Sequence, residues 1–340
     1  MFERNIYDHY QFHCEERMMI GDYEGFLSQR NLYIVIPCKY IDNMQAGLQM
    51  ATHLRTNGEE AIAELVPTVS GEEVAAVDGE DVYLFHLPET NQRQQGQSGA
   101  FELGQELALF HQKGVGFTAQ RDDYNYFGMW KVFWEKRLDQ LERWYSYIES
   151  QPQKSVVDQE FLVSFPYYLG MAENAIQYAV DSDLDEGYRR REGGTICHKR
   201  FSDRTWLTAS PSQGAIKLPS ELIFDHPTRD LAEWLRSTSL SGDVTTHEII
   251  NFLDGYEQKQ PLSKYAWRMI YARLLFPLTY FETVEHYYQS QTRQLQIQYE
   301  QQFFDVLRHE EENEAFLRDF FYVLNLPASQ IGIPVVDWLA

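Results

Sequence analysis

Over the first ninety or so residues, short apolar runs bounded by turn residues alternate with one helical pattern. "GFLSQ" and "LYIVIPC" are β-prone and are joined at Arg30-Asn31 as a hairpin. In "IDNMQAGLQMATHLRTNG", Met44, Leu48, Ala51 and Leu54 fall at helical spacing, with Asn43 placed to cap the start and Gly58 the end. "EEVAAV" and "DVYLFHLPE" flank Asp78-Gly79, a step suited to a type I′ hairpin turn. "TNQRQQGQSGA", residues 90–100, is polar up to its last residue and reads as a hinge.

Beyond the hinge the period shifts to that of amphipathic helices. "FELGQELALFHQKG" sets Phe101, Leu107, Phe110 and His111 on neighbouring turns and ends on Gly114, read as a C-cap. "GMWKVFWEKRLDQLERWYSYIESQ" is long and amphipathic, and "DQEFLVSFPYYLGMAENAIQYAV" follows with Pro166 as a break. Residues 187–227 carry short apolar pieces among Gly, Ser and Pro, the pattern of a small hairpin set among helices. "TTHEIINFL" opens on a capping box, Thr245 to Glu248, and "HEEENE" reads as a solvated helix face. The expected architecture is α+β and bilobal like a protein kinase: a small β-rich lobe at 1–89, a hinge at 90–100, and a mainly helical lobe at 101–340.

Composition narrows the function classes. The 340 residues carry a net charge of −22, which disfavours binding to nucleic acid or anionic lipid. Three cysteines, Cys14, Cys38 and Cys197, are far apart and form no disulfide framework or zinc ribbon. The charged start excludes a signal peptide, and no apolar run is long enough to insert into a membrane, so synthesis in the cytosol is expected. Within this acidic chain "YRRREGG" and "TICHKRFSDRTW" form a basic island.

Those segments carry a resemblance. "CHKRFSDRTW" has the frame of the C-H-G-D-x-H-x-x-N loop of aminoglycoside-phosphotransferase and choline-kinase-like enzymes. "FDHPTRDLAEWLR" looks like their H-P-x-x-D-L-A segment, and "LGQELALFHQKG" is similar to their L-x-x-L-A-x-L-H-x-x-G helix. "YYLGMAENAIQYAV" and "YARLLFPLTYFETVEHYY" resemble the CotS-like spore-coat branch of that superfamily, and within it the YutH-type family. The resemblance implies a kinase-like fold, residence in the endospore coat, and other coat proteins as partners.

It also allows the parts of phosphoryl transfer to be sought one by one: a base Asp, an Asn and an Asp on magnesium, and a Lys–Glu pair on the phosphates. His198 matches the loop His. The base position, near the middle of the degenerate loop at 196–206, is Arg200, whose guanidinium has no acceptor. The metal Asn position is Thr205, a weaker ligand for a hard cation. Lys217 stands close to where the metal Asp is wanted; the weak substitutes are Asp203, out of frame, and Glu221. "LYIVIPC" has no Lys, Lys39 beyond it reads as a turn residue, and the helix from Asn43 to Gly58 has no acid to pair with one. "GDYEG" reads as a hairpin turn rather than a nucleotide loop. ATP and magnesium are therefore not expected as cofactors, and no metal site is assigned. His9, His13 and Cys14 lack a fourth ligand, and the adjacent Cys197 and His198 read as structural.

Asp230 fits a helix cap, D-x-x-E with Glu233, and the resemblance adds that it braces the loop backbone. Three functions stay open. One is a catalytically degenerate coat component, a pseudokinase. Another is an active small-molecule phosphotransferase using Asp203 or Glu221. The third is an anion or acidic-peptide binder built on Arg189, Arg190, Arg191, Lys199, Arg200 and Arg204.

Overall fold

The computed structural model describes residues 1–89, 99–119, 124–186, 193–202, 205–207, 215–241, 245–329, 333–334 and 336. Two compact units divide the chain. The first is Met1–Tyr126, Gly194–Asp230 and Asp254–Lys259; the second is Phe127–Gly193, Leu231–Leu253 and Gln260–Ala340. All described strands lie in the first, and the second is helical, so the α+β class expected from the pattern is what forms.

In the first unit, α1 (Phe2–Tyr10) precedes β1 (Glu16–Ile20), β2 (Tyr23–Ser28) and β3 (Asn31–Pro37). Then come α2 (Met44–Thr56), β4 (Glu64–Leu65), β5 (Val74–Val77) and β6 (Glu80–Leu87). The sheet runs in the order β1-β2-β3-β6-β4, with β5 also on β6, and every pair is antiparallel. The turn between β2 and β3 is Gln29-Arg30, with φ of 50° and 67° and Ser28 opposite Asn31. That corrects the expected turn by one residue. Its two left-handed positions hold neither Gly nor Asn, so the usual type I′ signature is missing. A hydrogen bond from the Gln29 N–H to Glu15 (2.9 Å) helps hold it. Asp78-Gly79 turns as expected, with φ of 50° and 88°.

Period-two alternation divides the sheet between two cores. Tyr33 and Val35 face Phe2, Ile6 and Tyr10 of α1. Ile34 and Ile36 face the other way, with Ile20, Phe85 and Leu87, onto Met44 of α2 and onto Leu207, Ile216 and Leu218. Asn43 caps α2 as expected, its side chain accepting from the Ala46 N–H at 3.1 Å. Gly47 lets α2 approach the turn Pro219–Glu221: a Cβ there would overlap the Pro219 carbonyl oxygen and lie 2.8 Å from its carbon.

α3 (Ala100–Gly114) leads to the small hairpin of β7 (Thr195–His198) and β8 (Leu222–Asp225), antiparallel to each other. Gly114 closes the last turn of α3 rather than following it, and the cap is Val115. Its lack of a side chain serves contact with β7, since a Cβ would lie 2.8 Å from the Ile196 nitrogen.

The second unit holds α4 (Trp130–Ser150) and α5 (Val156–Glu186), then most of α6 (Thr228–Ser241) and α7 (Thr246–Lys259). It finishes with α8 (Lys264–Leu275), α9 (Leu278–Gln289), α10 (Arg293–Arg308) and α11 (Glu310–Val323). α5 runs through Pro166, contrary to the expected break. The proline is on the exposed side, where the carbonyl it orphans can turn to water, while Phe161, Phe165, Tyr168 and Met171 hold the other face in the core. Thr245 and Glu248 make the reciprocal capping bonds, 2.8 and 3.3 Å. Glu310, Glu311 and Glu312 open α11, where the helix dipole favours acids. No described helix is long and apolar enough to cross a membrane.

Replacing Gly47 with Ala is expected to cost about 2 kcal/mol in urea denaturation, the range for forcing a methyl into a packed site. Unchanged stability would contradict the direct contact of α2 with Pro219.

Candidate functional site

The site lies within the first unit, where β7 runs out at His198. Asp230, the third residue of α6, is wholly buried and aims its carboxylate back at that strand end. It accepts the His198 backbone N–H at 3.0 and 3.2 Å, the His198 ring at Nδ1 (2.7 Å) and the His111 ring at Nε2 (3.0 Å). The helix-cap reading of Asp230 is therefore corrected: α6 starts earlier, at Thr228, and the carboxylate serves the loop. The bracing implied by the family resemblance is the arrangement present.

The donors fix the tautomers. The Trp206 indole N–H, which can only donate, reaches His198 Nε2 at 2.8 Å, so that nitrogen accepts and Nδ1 carries the proton given to Asp230. His111 donates from Nε2 to Asp230 and receives the Tyr256 hydroxyl at Nδ1 (2.9 Å). Burial alone raises the Asp230 pKa, but the two histidines outweigh it and hold the carboxyl at about 2. Burial lowers the His111 pKa despite Asp230 and keeps the ring neutral.

Arg200 and Thr205, singled out by the resemblance, both lie in the loop that follows β7. Arg200 is exposed, and its carbonyl accepts the Thr205 hydroxyl at 3.0 Å. That hydroxyl oxygen accepts the Ser202 N–H at 2.7 Å, so Thr205 closes the loop on itself. Arg229 clamps the loop from the helix side: Nε and Nη2 donate to the carbonyls of His198 (3.1 Å) and Lys199 (2.9 Å), and Nη1 pairs with Asp225 at 3.0 Å. The Lys199 ammonium lies 3.9 Å from Asp42. Arg189, Arg190, Arg191, Asp203 and Arg204 lie outside the described residues.

Lys217 is buried, 7% exposed. Its ammonium sits 4.6 Å over the Trp206 ring and 3.3 Å from Glu59, whose other oxygen takes Lys113 at 3.1 Å. Burial raises the Glu59 pKa, but the two lysines more than cancel it and leave it lowered. Burial lowers the Lys217 pKa, with Glu59 opposing. The backbone of Lys217 bonds to both Ala61 (2.9 Å) and Ala63 (3.0 Å), and Leu207 and Ile216 exchange bonds of 2.9 and 2.7 Å. The β1–β2 turn settles on this segment, where a Cβ at Gly21 would lie 3.0 Å from Leu207.

Among the described residues one set could hold a metal by proximity: His111, Cys197 and Asp230, with ligand atoms within 4.8 Å of one another. The set does not fit one. Both nitrogens of His111 and both oxygens of Asp230 are taken by hydrogen bonds. The Cys197 thiol is pushed well above its usual pKa by burial and faces the carbonyls of Asp225 and His226, at 3.7 and 3.5 Å. Among the described residues, the positions where the resemblance seeks magnesium ligands hold a buried ammonium at 217 and, at 205, a hydroxyl committed to the loop. Glu221 is in the Pro219–Glu221 turn and lines a cavity with Asp22 and Tyr23. Lys39 is a turn residue ion-paired to Glu80. His9 and His13 are not on one helix, because α1 ends at Tyr10 and Gln11 turns left-handed.

Sequence reasoning missed His111, Arg229, Trp206 and Glu59. His111 was visible as the one polar residue in an apolar helical stripe, and Arg229 as the neighbour of Asp230. Glu59 gave no signal, since its partners are 54 and 158 positions away.

An Asp230→Asn variant is expected to lose about 3 kcal/mol at pH 7, the cost of breaking a buried charged network. The depressed Asp230 pKa stabilises the fold above about pH 4, and this is lost as pH falls toward 2. The lowered His111 pKa adds an earlier loss, as pH falls below about 6.5. Denaturation across pH should therefore show a shallower decline below pH 4 in the variant; an identical decline would contradict the assignment.

The profile of the family described as "Spore coat putative kinase YutH" matches residues 3–320. The chain is 34% identical over 346 residues to the endospore coat-associated protein YutH of Bacillus subtilis (strain 168), covering 100% of this chain and 98% of that one. Among solved structures it superposes on an aminoglycoside phosphotransferase from Alicyclobacillus acidocaldarius with a TM-score of 0.65 and 18% identity, over 92% of this chain and 93% of the other. The AMP-bound complex of spectinomycin phosphotransferase APH(9)-Ia gives 0.61 and 16%, over 89% and 93%. At such identities these two speak for the fold alone, which is the kinase-like fold expected.

Proposed function

The chain belongs to the YutH spore-coat family, and from that premise we propose that it is a structural component of the bacterial endospore coat, a kinase-like scaffold without phosphotransferase activity. Its place is the coat, with which the Bacillus relative is associated, and its partners are other coat proteins.

The observation that carries this reading is Lys217. Phosphoryl transfer needs carboxylates to hold magnesium against the phosphates. An ammonium buried at 7% exposure and paired to Glu59 puts a fixed positive charge close to where a metal-holding carboxylate is wanted, and removing its partner or reversing its sign is costly. Arg200 supports it, because a permanently protonated guanidinium cannot accept a substrate proton. So does packing: Ile20, Ile34 and Ile36 share one apolar cluster with Leu207, Ile216 and Leu218, so this face of the sheet is filled by side chains. The frame remains because Asp230, His111 and Arg229 stabilise the loop whether or not it reacts.

The alternative of an active phosphotransferase rests on Asp203 and Glu221, and the same experiment decides between the two. The melting temperature of the purified chain is expected to stay within about 1 °C at millimolar ATP and magnesium, because only a ligand of the native state shifts it. A magnesium-dependent rise of several degrees, with turnover lost in Asp203→Ala or Glu221→Ala, would establish the enzyme instead. In sporulating cells an Arg200→Ala chain is expected in the coat fraction at the wild-type level; its exclusion would tie coat assembly to the loop.

A further inference from the structure

A cavity of about 660 Å³ opens in the first unit beside the sheet end formed by the β1–β2 turn and the end of β3. Its apolar wall includes Met19, Ile36, Tyr40 and Ile41. The polar part is of one sign: Asp22, Glu24, Asp78, Glu80 and Glu221 line it, and no Lys, Arg or His does. Three of these acids are countered from outside the lining, Glu24 by Arg17, Glu80 by Lys39 and Asp78 by the amino terminus. Asp22 and Glu221 have no cationic partner among the described residues. Their charges, after burial, push the Tyr23 phenol up to about 12, so it stays a donor beside them.

A second feature adjoins the cavity independently. β1 is an edge strand, pairing only with β2 in the described sheet. Its Met19, opposite Glu24 in the ladder, is 64% exposed and is part of the cavity wall. An open edge presents unpaired backbone N–H and C=O groups to an extended segment. A preformed concavity with an apolar wall and convergent polar groups suits a side chain from that segment. The uniform negative charge sets its sign.

We infer that the β1 edge and this cavity together dock an extended, lysine- or arginine-bearing segment of another protein, which adds a strand to β1 and places a cationic side chain against Asp22 and Glu221. A free amine would use the carboxylates but not the strand edge; a phosphorylated or acidic ligand would be repelled. Of its two acids, Glu221 is also called on by the phosphotransferase alternative, and Asp22 is not.

The test uses the full chain, a blocked seven-residue peptide of alternating valine and lysine, its glutamate counterpart, and spermine. Affinity is read by calorimetry at low ionic strength and strand addition by amide hydrogen exchange at residues 16–20. The lysine peptide is expected to bind, to slow exchange in β1, and to weaken as salt rises. Asp22→Asn with Glu221→Gln should weaken it about tenfold, the scale of losing two complementary charges, whereas Glu149→Gln, exposed on α4, should not. Four results would each overturn the inference: no binding, equal binding of the glutamate peptide, unchanged exchange in β1, or binding by spermine as tight as by the peptide. Should the double variant melt early, the salt dependence and the glutamate peptide decide alone.

Discussion

The buried carboxylate of Asp230 is the constraint on which the rest of the site depends. A full charge without solvent is tolerable only when every lone pair is engaged. Here the engagements come from three directions: the backbone and ring of His198 at the end of β7, and the ring of His111 on α3. They tie α3, β7 and the start of α6 together, and they orient Trp206 through His198. Trp206 in turn offers its ring to Lys217. A chain of contacts thus leads from the carboxylate to the ammonium that the proposed function turns on.

Under the proposed function, that chain is how a catalytic frame outlasts catalysis. The groups that hold the loop, Asp230, His111 and Arg229, make their bonds in the resting fold and stabilise it continuously. Under the proposed function, Arg200 and Thr205 are no longer held to substrate chemistry. Thr205 has been absorbed into the loop's own hydrogen bonding. Lys217 goes further, since its charge opposes a metal and its backbone bonds to the segment from Ala61 to Ala63.

What could be read in the sequence follows the range of each interaction. Local signals served well: the Asn43 cap, the Asp78-Gly79 turn and the Thr245–Glu248 box depend on neighbours a few residues apart. Gln29-Arg30 went astray because its left-handed backbone is held by the pairing of β2 with β3 and by Glu15, not by a turn-forming residue. Pro166 misled because tertiary packing of the opposite face overrode a local rule. At the site, Arg200 and Thr205 could be singled out from the loop's frame and Lys217 from its place upstream of "DHPTRDLA", but what Lys217 touches could not. Glu59, Lys113 and Trp206 converge on it only after folding, and Asp230 read as a helix cap until its partners were brought to it.

The central claim, a kinase frame without its chemistry, meets its most direct test in the phosphorus NMR spectrum of ATP with excess magnesium and a stoichiometric amount of the chain, followed for days near pH 7.5. The account predicts β and γ resonances of unchanged position and width, with no ADP or phosphorylated product beyond a protein-free control. Broadened resonances together with protein-dependent loss of the γ signal would contradict it.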